Sequence, residues 1–262
     1  MERRQLGVTG IAVPVIGMGT WRTFDTGRDL RPLVEEAVGA GMDLFDSSPM
    51  YGLAEATLAR AVAGIRERVL VATKVWTDDA SEGRRQAEHG VRLYGTVDVY
   101  QVHNLVNAPV QLALLERLKA RGKVRAVGAT HYQEAAFEDL AALMRTGRLD
   151  MVQIPYSPLR RESERVLLPL AEERGLGVLV MSPLQDGILN RRPTAEQLRE
   201  LGVETWAQAV LKWIASDRRV STVLTATHRR GRPTENAKAG LPPMFTPDQR
   251  ELVSRICAAA PR

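Results

Sequence analysis

The chain has 262 residues, of which 44% are hydrophobic and 26% are charged, a composition typical of a globular protein that buries a large core. Its formal net charge is +5, but the 36 basic and 31 acidic residues are mixed along the chain, so we expect no nucleic-acid partner. The single cysteine excludes an internal disulfide. The N-terminal sequence does not resemble a signal peptide, and no apolar run is long enough for a membrane span. We therefore expect a cytoplasmic protein without a membrane partner. We further expect a monomer or a weak oligomer.

Strand-like and helical segments alternate along the chain. Residues 12–21 begin as an apolar strand and end in glycines, and residues 30–41 carry Leu33, Val34 and Ala37 at helical spacing before a terminal glycine. Further strands are predicted at 42–48, 68–76, 97–104, 124–130, 149–157, 176–184 and 219–227. Further helices are predicted at 55–65, 81–95, 109–123, 132–147, 162–175, 203–217 and 233–240, and a short amphipathic helix follows near the C-terminus.

This eightfold alternation predicts an α/β protein with the (β/α)8 TIM-barrel fold, in which strands covered by helices are apolar on both faces. We predict a single barrel domain over residues 1–262. An N-terminal β-hairpin that turns at Thr9-Gly10 should cover the bottom of the barrel. An open doubly wound sheet is the alternative, but the stretch GMGTWR lacks the third glycine of the G-x-G-x-x-G turn.

Polar residues end several of the predicted strands. Asp46 ends DLFD, Lys74 ends VLVATK, His103 ends DVYQVH and Gln153 ends DMVQ, while Tyr51 lies in the loop after Asp46. Because active sites of such barrels lie at the carboxyl ends of the strands, we expect these side chains to meet at one rim.

This group of side chains suits the reduction of a carbonyl group. A free tyrosine has a pKa of about 10 and is a weak proton donor at neutral pH, so we expect the Lys74 ammonium to lower the pKa of Tyr51. Asp46 would hold Lys74 charged, and His103 would orient a carbonyl oxygen or relay its proton. Each residue taken singly is more often structural, but their occurrence at successive strand ends favours a catalytic role.

Over nearly its whole length the sequence resembles the aldo-keto reductases. The similarity is carried, in order and spacing, by LGVTGIAVPVIGMGTW, DLFDSSPMYG, VATKVW, VDVYQVHN, LKARGKVRAVGAT, VQIPYSPL, VMSPL and PTENAKAG. The resemblance implies a (β/α)8 barrel that reduces aldehyde or ketone carbonyls to alcohols with NADPH and without a metal. It also implies a catalytic set of Asp46, Tyr51, Lys74 and His103, with Tyr51 as the proton donor.

The resemblance further implies where NADPH binds. The nicotinamide amide would contact Gln153, the pyrophosphate would lie at SPLQDG, and the adenosine end would lie at THRRGRPTEN. Arginine forks pair well with a phosphate dianion, which favours NADP over NAD. The implied cofactor-binding residues are Gly19, Thr20, Trp21, Asp46, Thr130, His131, Gln153, Met181, Ser182, Pro183, Leu184, Gly187, Thr227, Arg232, Glu235 and Asn236.

Some positions depart from the family's pattern. Thr130-His131 replaces Ser-Asn, Met181 replaces an aromatic ring, Ala226 replaces a lysine and Asn104 replaces an aromatic residue. These changes bear on cofactor affinity and substrate range and leave the catalytic set intact.

The substrate pocket is expected to be lined by residues next to the catalytic positions, because apolar walls are typical of such sites. The alternative role for each is core packing or anchoring of a loop. The candidates are Trp21, Phe24, Met50, Trp76, His103 and Asn104. The segment after residue 236 holds one helix and little spare loop, which predicts an open pocket and broad specificity.

Two other functions remain open on the sequence. A non-catalytic NADP(H)-binding regulatory module of the same fold is favoured by Met181 and His131 and opposed by the intact catalytic set. A metal-dependent barrel hydrolase is opposed by the four histidines, which include no pair at ligand spacing.

Overall fold

A hairpin and a closed barrel of parallel strands form the framework of the computed structural model, which describes residues 1–259. Strands β1 (Arg3–Gln5) and β2 (Ala12–Pro14) pair antiparallel as the hairpin. The barrel strands are β3 (Ile16–Gly19), β4 (Leu44–Asp46), β5 (Leu70–Val75), β6 (Val97–His103), β7 (Val124–Thr130), β8 (Met151–Pro155), β9 (Gly177–Met181) and β10 (Thr222–Ala226). Their order is β10-β3-β4-β5-β6-β7-β8-β9, which confirms the predicted (β/α)8 barrel. Residues 260–262 of the predicted domain lie outside the described residues.

Helices follow the barrel strands along the chain. They are α1 (Arg31–Gly39), α2 (Ala54–Val62), α3 (Ala80–Tyr94), α4 (Ala108–Ala120), α5 (Phe137–Arg145), α6 (Leu167–Arg174), α7 (Ala195–Glu200), α8 (Trp206–Ala215), α9 (Arg232–Ala237) and α10 (Pro247–Ala258). Helix α7 was not predicted; it is short and begins at a capping box in which Thr194 and Gln197 exchange hydrogen bonds. No helix within residues 1–259 is both long and apolar enough to span a membrane.

Helix α3 forms in spite of two interior glycines, because both allow close packing. A β-carbon at Gly83 would collide with the side chain of Gln111, and one at Gly90 would lie 2.6 Å from the hydroxyl of Tyr100. Without these side chains, α3 approaches α4 and β6 closely. Glycine is destabilising within a helix by roughly 1 kcal/mol, so packing outweighs local preference here.

The hairpin covers the bottom of the barrel, as predicted. Leu6, Ile11 and Val13 are buried in one apolar cluster with a residue from each of seven barrel strands, including Leu44 and Val99. The barrel therefore has a packed interior at this end, and its opposite rim carries the polar residues.

Candidate active site

The carboxyl ends of β4, β5 and β6 bring three of the predicted catalytic residues together. Asp46 is the last residue of β4, Lys74 lies near the end of β5, and His103 is the last residue of β6. Tyr51 ends a short 3-10 turn, Pro49–Tyr51, which follows β4 and is capped by the hydroxyl of Ser48. The parallel register aligns these strand ends, so residues far apart in the chain meet on one rim.

Asp46 and Lys74 form a buried ion pair. The Lys74 Nζ donates to the two carboxylate oxygens of Asp46 at 2.8 and 2.7 Å and to the carbonyl oxygen of Ser47 at 2.8 Å. The amides of Gln101 and Gln153 also donate to the Asp46 carboxylate, at 3.1 and 3.3 Å. Burial by itself lowers the pKa of Lys74, but the charges and hydrogen bonds of Asp46 and Tyr51 together outweigh it, and the pKa is raised. Lys74 is therefore a fixed ammonium.

The phenol of Tyr51 lies next to this ion pair. Its ring centroid is 5.2 Å from Lys74 Nζ, 5.7 Å from the His103 ring in an edge-on arrangement, and 6.5 Å from the Trp21 ring. Burial raises the pKa of Tyr51, and the Lys74 charge opposes this shift without reversing it. The lowering by Lys74 that the sequence predicts is present, but burial, with the Asp46 charge acting in the same direction, outweighs it and the pKa of Tyr51 is raised. The phenol keeps its proton at neutral pH.

His103 is a buried, neutral imidazole. Burial, followed by the nearby Lys74 ammonium, lowers the pKa of His103 to about 2. Its Nδ1 lies 2.9 Å from the Ser48 hydroxyl oxygen. His103 therefore enters any reaction near neutral pH as a neutral hydrogen-bonding group.

A cavity of about 230 Å³ opens beside Tyr51 at the rim of the barrel. Gln153 lines this cavity, and its Oε1 is buried and has no hydrogen-bond partner within residues 1–259. Buried polar atoms are nearly always paired, so a carboxamide donor is a chemically suitable partner for this oxygen. The cavity is lined by Gly19, Thr20, Trp21, Asp46, Tyr51, Gln153, Met181, Ser182, Pro183, Leu184, Gln185, Leu224, Thr225 and Ala226.

Two of the predicted cofactor residues near the rim do not line this cavity. Thr130 is buried at the end of β7, beside Gln153 in the register. His131 is partly buried, and its ring stacks on Tyr132 with centroids 5.6 Å apart. Their predicted cofactor contacts stay predictions.

The predicted adenosine end of the site carries its own ion pairs. Arg232 donates to both carboxylate oxygens of Glu235, at 2.7 and 2.8 Å. Glu36 of α1 accepts from the backbone N–H groups of Gly231 and Thr234 at the start of α9. Burial raises the pKa of Glu36, but these hydrogen bonds and the Thr234 hydroxyl outweigh it and the pKa is lowered. The predicted roles of Thr227, Gly187 and Asn236 in cofactor binding stay predictions.

Three of the predicted substrate residues are exposed at the rim. Trp21, Met50 and Trp76 have 39%, 38% and 42% of their surface accessible, so a ligand can reach them. Asn104 is partly buried directly after β6.

Phe24 was predicted to line the substrate pocket, but it lies in the apolar core. It is 0% exposed and belongs to the main apolar core, because the turn after Thr20 brings the chain back and the Phe24 N–H donates to the Thr20 carbonyl at 3.0 Å. Core packing, the alternative role, is the one that the structure gives it.

Two residues that the sequence did not single out contact predicted site residues: Ser48 contacts His103, and Gln101 contacts Asp46. A third, Glu36, contacts Gly231 and Thr234 in the predicted adenosine-binding segment. Gln101 could have been found, because residues two apart on a strand face the same side and His103 follows it at that spacing. Ser48 and Glu36 act through tertiary contacts with distant segments, and no local pattern marks them. Within residues 1–259, no group of three His, Cys, Asp or Glu side chains is arranged to hold a metal ion.

The closed parallel barrel with helices between its strands places the chain in the class of (β/α)8-barrel proteins. The sequence model of the Aldo/keto reductase family matches residues 15–256. The chain therefore belongs to the aldo/keto reductase family.

Individual relatives agree with this assignment. The chain is 33% identical over 221 residues to the 6-dehydroglucose reductase of Novosphingobium aromaticivorans, covering 73% of this chain and 72% of that protein. It is 29% identical over 221 residues to the aldo-keto reductase YhdN of Bacillus subtilis, covering 75% of this chain and 66% of that protein. An aldo/keto reductase of Klebsiella pneumoniae, solved in complex with NADP and acetate, has the same fold with a TM-score of 0.84, at 20% identity over 100% of this chain and 98% of that one.

Proposed function

We propose that this protein is an NADPH-dependent oxidoreductase that reduces aldehyde or ketone carbonyls to alcohols within a single barrel domain. The main observation behind the proposal is that the Tyr51 ring, whose phenol keeps its proton, has its centroid 5.2 Å from the Nζ of the Lys74 ammonium and lines an open cavity. Membership of the aldo/keto reductase family supports the same reaction class.

The residues that would hold the cofactor are those of the rim cavity. Gln153 offers an unpaired buried acceptor to the nicotinamide amide, and Met181 lies beside the same cavity, where a thioether can cover an aromatic face. Three exposed arginines near the predicted adenosine end would supply positive charge for a 2′-phosphate: Arg229, Arg230 and Arg232. They would replace the family's lysine, whose position is occupied by Ala226 in this chain. A bound nicotinamide supplies the hydride.

The chain's own groups supply the proton. Tyr51 keeps its proton at neutral pH and donates it to the carbonyl oxygen as negative charge develops there. The Lys74 ammonium then stabilises the phenolate that remains, and Asp46 keeps Lys74 charged and in position. Neutral His103 donates a hydrogen bond that orients the same carbonyl oxygen.

The test is NADPH consumption by purified protein with a panel of aldehydes and ketones. We expect Tyr51→Phe to lower kcat for carbonyl reduction by about 100-fold or more, since general acid catalysis contributes roughly 10²–10⁴ in rate, while NADPH still quenches the protein's fluorescence at a similar concentration. Tyr132→Phe is the matched control, because Tyr132 is an exposed rim tyrosine outside the cavity, and we expect it to keep wild-type kinetics.

Full activity in Tyr51→Phe would refute the assignment of Tyr51 as the proton donor. Binding of NADPH by the wild-type protein with no turnover of any carbonyl would favour the regulatory module instead. A comparison of NADPH with NADH in the same assay measures the cofactor preference that we assign to the three arginines.

A further inference from the structure

The hydroxyl of Ser48 makes two contacts in a fully enclosed position. Ser48 is 0% exposed, and its Oγ accepts a hydrogen bond from the backbone N–H of Met50 at 3.2 Å. The same oxygen lies 2.9 Å from Nδ1 of His103, which is 6% exposed. The turn that carries Tyr51 and the imidazole of His103 therefore share one buried hydroxyl.

The number of protons available determines which group donates in the hydrogen bond between Ser48 Oγ and His103 Nδ1. A serine hydroxyl has one proton to donate and two lone pairs that accept. If His103 Nδ1 carried the proton, Ser48 would accept twice, and its own proton would be buried with no acceptor among residues 1–259. Buried donors are rarely left in that state. The satisfied arrangement is the one in which Ser48 donates to an unprotonated Nδ1.

We propose that Ser48 is a positioning residue that holds His103 in the tautomer with its proton on Nε2. This tautomer has a consequence for catalysis, which rests on the proposed reductase function. Because Nδ1 accepts from Ser48, Nε2–H is the group that donates a hydrogen bond to the substrate carbonyl oxygen. His103 Nε2 makes no hydrogen bond within residues 1–259, so its proton is left available for a substrate oxygen. Burial keeps the ring neutral, consistent with the low pKa of His103.

The alternative is that Ser48 serves only to cap the turn through Met50. The tautomer of His103 distinguishes the two roles, because capping of the turn does not depend on which nitrogen of His103 is protonated. Ser47→Ala is a matched control: it removes the neighbouring buried hydroxyl, which accepts from Thr20 Oγ1 at 3.0 Å and does not contact His103.

The experiment is two-bond ¹H–¹⁵N correlation NMR of the ¹⁵N-labelled full chain, with the His103 signals assigned by their loss in His103→Asn. We expect the Nε2–H tautomer in the wild type, in Ser48→Thr, which keeps the hydroxyl, and in Ser47→Ala. Ser48→Ala should show Nδ1–H or a mixture of the two tautomers. An Nδ1–H tautomer in the wild type, or an unchanged tautomer in Ser48→Ala, would overturn the proposal.

Kinetics on the same proteins test the consequence for catalysis. Ser48→Ala should lower kcat/KM for carbonyl reduction by roughly 10- to 100-fold, the loss that is typical when a group orienting a metal-bound histidine is removed, and leave NADPH affinity unchanged. Ser48→Thr should recover most of this loss. If the wild type reduces no carbonyl but shows the expected tautomers, the reductase function fails while the assignment of Ser48 stands.

Discussion

Acidification below pH 6.5 should destabilise the folded protein through His103. The pKa of His103 is about 2 in the folded barrel, because the imidazole is buried and lies near Lys74, whereas a histidine in an unfolded chain has a pKa of about 6.5. Between these values the unfolded state binds one proton more than the folded state. The stability contributed by neutral His103 is therefore fully present above about pH 6.5 and is lost as the pH falls toward 2.

The size of this loss follows from the difference in bound protons. One proton changes the free energy of unfolding by about 1.4 kcal/mol per pH unit, so between pH 7.5 and pH 5.0 His103 alone should cost about 2 kcal/mol. This result is insensitive to the folded pKa, because pH 5.0 lies far above about 2.

Urea unfolding of the wild type and of His103→Asn at the two pH values measures the effect. The carboxylates contribute equally in both proteins, so the wild type should lose about 2 kcal/mol more than the variant on acidification. His228→Asn, at an exposed histidine, is the control and should lose as much as the wild type. Equal losses in the wild type and His103→Asn would mean that His103 takes up a proton inside the folded barrel, and its assignment as a neutral hydrogen-bond donor would be refuted.

Further predictions concern the ion pair, the hairpin and the cysteine. Lys74→Met should lower the free energy of unfolding at pH 7 by about 3–5 kcal/mol because it strands a buried carboxylate, and adding Asp46→Asn should recover part of this in urea unfolding; no recovery would contradict the pairing. Leu6→Ala should cost about 2–5 kcal/mol but leave carbonyl-reduction kinetics unchanged, since the hairpin lies at the opposite end of the barrel from the rim. The Cys257 thiol, whose pKa is raised by burial to about 11, should react with a disulfide reagent at pH 8 only after unfolding; fast labelling of the folded protein would contradict its burial.

Much of the framework is determined by local sequence patterns. Apolar β-branched runs form strands and amphipathic runs form helices over short distances, so their alternation specifies the barrel without knowledge of any tertiary contact. The meeting of the polar residues that lie at several strand ends also follows from the fold, because all parallel strands of a barrel end at the same rim. For this reason Asp46, Lys74 and His103 could be placed together in advance.

Other features depended on contacts between distant segments. The burial of Phe24, the contact of Ser48 with His103 and the capping of α9 by Glu36 each join residues separated in the chain, and no local pattern specifies them. Packing against α4 and β6 likewise explains why α3 forms through two glycines.

Protonation states depended on the tertiary structure most of all. Lys74 lowers the pKa of Tyr51, as expected from the sequence, but burial of the phenol and the Asp46 charge outweigh this effect and the pKa is raised. A pKa is the sum of desolvation, charges and hydrogen bonds at one point in space. The sequence alone determined which ionisable groups line the rim, but only the tertiary structure, by setting their depth and neighbours, decided which of them hold a proton.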